Sequence, residues 1–256
     1  MPARNAPSSV AGKASARGGG APRESKKGQR DMTFFTWLAT LVLTAAQVPA
    51  TQQPQRFDYQ VRADFFAGVA GDEARMNEAM DLCERTLAEN PKHAEAMVWH
   101  GAGAFVRAGQ AFQKGDMAAG GQLFGRAMKE MNDAVALAPD NPGVLIPRAA
   151  VLFEGTRAMP PDTARPLVES AVANYEHVLD IQAPIWPTLG DHARGELLFG
   201  LAEGSARLGR LDKARRYFER LIKDAPTSGQ APKAEQWIST GTLPKSNGTS
   251  CVGCHK

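Results

Sequence analysis

The sequence predicts an all-α fold of paired antiparallel helices. Three observations predict it: apolar residues recur at helical spacing over about 61–240, Gly or Pro punctuates those stretches where helices should turn or stop, and no βαβ pattern intervenes. The clearest pair runs from Gly195 to Pro226. Leu197, Leu198, Leu201, Ala202 and Leu208 fall at helical spacing in its first helix, and Gly209 and Arg210 make the turn. Leu211, Ala214, Phe218, Leu221 and Ile222 line one face of the second helix, and Pro226 stops it. Lys213, Arg215, Arg216, Glu219 and Arg220 lie mostly on the other face. Small residues stand where two helices must approach closely, and large ones where they interlock. One such pair cannot bury its apolar face alone, so neighbours are expected.

Before the helices comes a different kind of sequence. Residues 1–31 are rich in Ala, Gly, Ser, Lys and Arg without apolar periodicity, which predicts disorder. Residues 33–46 (TFFTWLATLVLTAA) are uncharged and apolar, and Val48-Pro49-Ala50 follows with small residues. Basic residues, a short apolar core and a small-residue cut site predict a secretory signal over 1–50, cleaved after Ala50. An uncleaved anchor is the alternative, and the true start is Met1 or Met32. Residues 51–60 read as a linker, with helices starting near Val61. Residues 1–50 hold seven Lys/Arg against two Asp/Glu, whereas the other 206 residues hold 23 against 25. The folded part is therefore not basic, which argues against a nucleic-acid partner. Contact with a membrane is expected only through the signal or an uncleaved anchor.

The pair at 195–226 resembles the tetratricopeptide repeat, a helix-turn-helix unit of about 34 residues. That family expects a small residue at its eighth position, Gly or Ala at the turn, Ala at the twentieth, an aromatic at the twenty-fourth and Pro at the thirty-second. Here these are Ala202, Gly209, Ala214, Phe218 and Pro226, while Leu221 replaces the small twenty-seventh residue. A first unit contributes FFAGVAG (65–71) and then 76–91, with Ala79, Cys83 and Pro91 in the key places. Cys83 should be a small core residue. A second unit runs from Ala94 to Asn141, with Gly101, Ala127, Met131, Ala134 and Pro139. It is 14 residues too long, which predicts an extended helix and loop around 105–119. A third spans about 142–184, with Ala171 and Tyr175 in register, Pro160-Pro161-Asp162 at its turn, and Asp162 or Thr163 as cap. The connector 183–193 (APIWPTLGDHA) leads to the fourth unit, and 232–240 predicts a capping helix. The resemblance covers roughly 61–240. It implies a right-handed superhelix of antiparallel helix pairs whose concave face binds peptides or partner proteins.

Residues 241–256 read as a flexible tail carrying Cys251-Val252-Gly253-Cys254-His255. C-x-x-C-H is the attachment motif of c-type haem, and the tail resembles cytochromes c over these five residues only. Two thiols three residues apart reach the two vinyl groups of one haem, and the next residue places an imidazole on the iron. Cys251 and Cys254 are thus the expected thioether residues and His255 the proximal ligand. Only one residue follows the motif, so the haem is expected to dock on the helices or a partner, or to stay partly exposed. Among the other histidines, His93, His100, His177 and His192, the connector residue His192 is the candidate distal ligand, whereas His100 reads as a core histidine. Met117 and Met159 lie near turns. The alternatives for the tail are a dithiol or disulfide, or capture of zinc by Cys251, Cys254 and His255 with a fourth ligand from elsewhere.

Three functions follow as expectations. The first is an exported scaffold with one tethered haem c, acting in electron transfer with a redox partner or in assembly of a redox complex. The second is a haem-free envelope scaffold whose tail is structural or metal-binding. The third is a thiol-disulfide enzyme, which lacks the βαβ support such chemistry uses. No nucleophile elbow, phosphate loop or metalloprotease helix occurs, so the sequence supplies no catalytic constellation for the repeat region.

Overall fold

Helix boundaries follow from how each end satisfies its backbone. The computed structural model describes residues 56–242. Within them four helix pairs and a closing helix follow one another: α1 (Phe57–Val69) with α2 (Glu73–Glu89), α3 (Ala94–Gln113) with α4 (Met117–Leu137), α5 (Pro142–Gly155) with α6 (Pro161–Gln182), α7 (Asp191–Arg207) with α8 (Leu211–Asp224), then α9 (Ala231–Thr240). Among the described residues there is no strand. The fold is the all-α array of helix pairs that the periodicity predicts, of the tetratricopeptide kind that the resemblance implies. Each second helix except α4 packs closely on the first helix of the next unit, and α3 packs directly on α5. No helix of the described residues is long and apolar enough to cross a membrane.

Three of the four turns within pairs use one device. Gly71, Gly115 and Gly209 have φ of 110°, 82° and 76°. In each turn the glycine N–H bonds the carbonyl three residues back, and the next N–H bonds the carbonyl five residues back. These bonds satisfy carbonyls that the helix end would orphan. The next helix then starts on a side-chain acceptor in two cases: Asp72 takes the Arg75 N–H at 3.1 Å and Asp116 takes that of Ala119 at 3.0 Å. Between units, His93 Nδ1 caps α3 and Asn141 Oδ1 caps α5. Each such cap stabilises its helix by about 1 kcal/mol.

The core repeats with the sequence. Ala79, Ala127, Ala171 and Ala214 are all buried, and so are Cys83, Met131, Tyr175 and Phe218 four residues later. The small residue on the facing helix is needed at Gly101, where a Cβ would stand 2.9 Å from Met131 Cγ and 3.1 Å from the Ala127 carbonyl oxygen. Leu221, the departure from the family pattern, is fully buried. At the far end α9 lays Trp237 against Phe218, with ring centroids 4.8 Å apart, and so covers the last pair.

The structure corrects several expectations. Helix α1 starts at Phe57, four residues before Val61, because Phe57 is buried and stacks on His93 with centroids 5.1 Å apart. The extra length at 105–119 forms no loop: α3 and α4 simply extend, leaving Lys114–Asp116 as the turn and exposing Phe112 and Met117 at the tip. Neither Asp162 nor Thr163 caps α6, because Pro160 and Pro161 fix the backbone earlier and the helix begins at Pro161 without a side-chain cap. A 3₁₀ turn, Thr156–Ala158, precedes it. The connector after α6 is likewise a 3₁₀ segment, Ala183–Thr188. Leu211 is 58% exposed, since it is the first residue of α8 and lies at the edge of the pair rather than on its inner face.

Gly209 has nothing within 4 Å of a Cβ position, so its φ of 76° alone fixes the residue type. Gly209→Ala should lower stability by about 1–2 kcal/mol without altering the helical content. Urea unfolding followed by circular dichroism measures this, and an unchanged midpoint would contradict the turn's role.

Candidate functional site

Cys251, Cys254 and His255 lie outside the described residues. Of the candidate distal ligands, His192 is exposed on the first turn of α7. The other histidines serve the fold. His93 caps α3, His177 Nε2 lies 2.7 Å from Asp140, and His100 is fully buried. Met117 is exposed on the first turn of α4, and Met159 packs partly buried against the core. Among the described residues no three His, Cys, Asp or Glu side chains converge as a metal site. Cys83 is buried, and burial, with Glu130 and Glu84 adding to it, pushes its thiol up to about 12. It stays a protonated core residue, as expected.

The described residues do hold an unexpected series of polar layers. On α3, α5 and α7 the residue just before the small Gly101, Ala149 and Ala202 is His100, Arg148 and Leu201, all buried. The flanking helices supply partners at matching positions. Glu84, Asn132 and Glu176 each stand five residues after the buried Ala79, Ala127 and Ala171. Glu130, Asn174 and Tyr217 each stand three residues after Ala127, Ala171 and Ala214.

In the first layer both ring nitrogens of His100 face carboxylates, Nδ1 at 2.7 Å from Glu130 and Nε2 at 3.3 Å from Glu84. Arg126 donates through Nε to Glu130 at 2.8 Å. Burial raises Glu130, but His100 and Arg126 together pull its carboxyl below the usual range. In the second layer Arg148 donates from Nη1 to Ser170 Oγ (2.8 Å) and Asn174 Oδ1 (2.5 Å), and from Nη2 to Asn132 Oδ1 (2.8 Å). Its partners are all neutral, and its Nε–H has none. Burial lowers its pKa with no neighbouring charge to offset it. In the third layer the Tyr217 hydroxyl donates directly to Glu176 at 3.3 Å. Burial and the Glu176 charge push that phenol up to about 12, so it remains a donor.

A second polar group ties α5 to α7. Arg157 forks onto the buried Glu203 at 2.5 and 2.8 Å, and Arg207 donates to the Phe153 carbonyl and to Thr156 Oγ1. Beside it lies a cleft of about 260 Å³ with Arg157, Arg165, Arg207 and Asp162 around a floor that includes Met159 and Leu208. Sequence reasoning found His100 but missed Arg148 and this cleft. The available signal was a lone basic residue within an otherwise apolar helical run, VLIPRAAVLFEG.

Comparison with known families gives one result on this geometry. Residues 196–228, essentially the α7/α8 pair, match the tetratricopeptide repeat model. No curated protein matches the chain. The match and the stacked helix pairs support a scaffold that binds other proteins, as tetratricopeptide repeats do.

Because the folded Glu130 carboxyl is held low, its stabilising contribution is fully present above the ordinary value near 4.5 and is lost as pH falls below it through the lower folded value. Glu130→Gln should therefore cost about 1–3 kcal/mol at pH 7. The difference from the unsubstituted protein should shrink as pH falls below that range. Paired denaturation curves across the acid range measure it.

Proposed function

We propose that this chain is an exported protein-binding scaffold carrying one covalently attached haem c, serving electron transfer or assembly of a redox complex. The carrying observation is the Cys251-Val252-Gly253-Cys254-His255 run in a chain whose other cysteine, Cys83, is buried and held protonated. Available thiol chemistry is thereby confined to the two motif cysteines. The donor set fits the group: each thiol adds its S–H across one vinyl group, sulfur and hydrogen going to the two vinyl carbons, so no oxidant is consumed. Cys251 and Cys254 would hold the porphyrin and His255 would ligate the iron, and the bound group would supply one-electron chemistry. Export agrees with this reading, because the signal-like segment over 1–50 would deliver the thiols to the side of the membrane where haem c is attached.

The helical array supports the scaffold half of the reading. Its motif residues are packing residues and identify no ligand, so partners are expected along exposed faces, the concave face first. His192, exposed on α7, is the proposed distal ligand.

An intact mass and a visible spectrum on protein exported from a host with haem-attachment machinery test the proposal. The expected result is a chain cut near Ala50 with a covalent haem increment and a Soret band, both lost in Cys251→Ser with Cys254→Ser. A haem-free mass from that host would overturn the haem assignment. Removal of 242–256 should leave partner binding intact if the array alone is the scaffold. His192→Ala should keep the haem attached but change its visible spectrum, and an identical spectrum would remove His192 from the coordination sphere.

A further inference from the structure

The second polar layer is incomplete in a way its neighbour explains. His100 and Arg148 occupy the same place on α3 and α5, one residue before the small packing residue. Around His100 the two matching positions are carboxylates, Glu84 and Glu130. Around Arg148 they are carboxamides, Asn132 and Asn174, with Ser170 added. Arg148 is therefore 94% buried with no negative charge beside its guanidinium, although a buried charge is costly unless paired. Its Nε–H is unpartnered, and Nη2 spends only one of its two N–H groups on Asn132. These two nitrogens form the side of the guanidinium that a carboxylate grips with two parallel hydrogen bonds.

The groups over Arg148 suit an incoming anion. Both asparagines turn Oδ1 toward the guanidinium, so each Nδ2 amide points elsewhere as a donor. Ser170 Oγ accepts from Arg148 and keeps its own hydrogen to donate. Asn132 is exposed on α4, so its side chain swings aside without disturbing the core, while Ser170 and Asn174 on α6 are half-buried. Arg148 thus lies beneath the seam that Asn132 of α4 and Ser170 and Asn174 of α6 form over α5.

We propose that Arg148, Asn132, Ser170 and Asn174 form a carboxylate-binding site on this seam, which takes an acidic side chain of a bound protein partner. The internal precedent fixes the chemistry. One unpaired cation calls for one negative charge, and in the neighbouring layer that charge is a glutamate carboxylate. The proposal extends the scaffold reading by naming what a partner presents, but the site itself is tested without any partner.

The test uses the full chain, isotope-labelled, titrated with acetate and, separately, with acetamide. Acetate should shift the Arg148 Nε–H and the Asn132 and Asn174 side-chain amide resonances saturably, and acetamide should not. A capped glutamyl peptide should reproduce the shifts and a capped glutaminyl peptide should not. Arg148→Met should fold, because removing an unpaired buried charge is well tolerated, and should weaken acetate binding at least about tenfold. Asn132→Glu writes the missing carboxylate into the chain, so it should raise Tm by about 2–4 °C and abolish the acetate response. Equal shifts with acetate and acetamide, acetate shifts that persist in Arg148→Met, or an Asn132→Glu protein with unchanged Tm and an intact acetate response would each overturn the site. Those failures would leave the scaffold reading standing, since partner binding through the rest of the array is measured separately.

Discussion

The close approach of neighbouring helices is the constraint on which everything else rests. A helix pair of this kind has an apolar face on each side and can bury both only by stacking. Stacking at short distance requires small side chains at the crossing points. Ala79, Ala127, Ala171 and Ala214 supply them on the second helices, and Gly101, Ala149 and Ala202 on the facing first helices. A large residue four positions on, such as Met131 or Phe218, then fills the space beside each crossing. The ends of the array face the same requirement. Trp237 on α9 covers Phe218 at one end, and Phe57 folds against His93 at the other.

That constraint sorts the chain into positions that must stay apolar and positions that are free to vary. On α3, α5 and α7 the residue preceding the small one is buried, yet it is His100, Arg148 or Leu201. Variation is tolerated because each polar version has partners on the two flanking helices. The carboxylates around His100 match a ring with two nitrogens, and the amides around Arg148 match a fork of donors. Where Leu201 needs no partner, Glu176 and Tyr217 meet each other instead. A half-satisfied polar group in such a layer is expensive, and in the second layer the guanidinium keeps an unpartnered Nε–H and no charged neighbour.

Much of this was legible in the sequence, and the reasons are physical. Helical period and the Gly and Pro punctuation are local properties, so the units at 195–226 and 94–141 could be read directly, down to the turn at Gly209, and so could the core role of Cys83 in the first unit. Boundaries were less legible because they depend on tertiary contacts. Phe57 joins α1 only because His93 lies across from it, and Leu211 leaves the core only because the helix happens to begin there. The 14 extra residues predicted an extended helix and a loop around 105–119; the extension is there, but both helices of the pair take up the length and leave only a short turn. Arg148 was illegible in another sense. Its environment is made by residues 16 to 26 positions away on two other helices, and only the stacked array brings them together.

The candidate haem residues show the opposite behaviour. Cys251, Cys254 and His255 lie outside the described residues, and the proposal made for them rests on spacing within five residues alone. For the same reason the array adds nothing to that proposal beyond the histidines it engages itself. With His93, His100 and His177 engaged in capping, core and surface contacts, a sixth ligand taken from one of them would break a contact of the fold. His192 is exposed on the first turn of α7. Cys83 and the three histidines His93, His100 and His177 are thus taken up by packing, capping and polar contacts within the array.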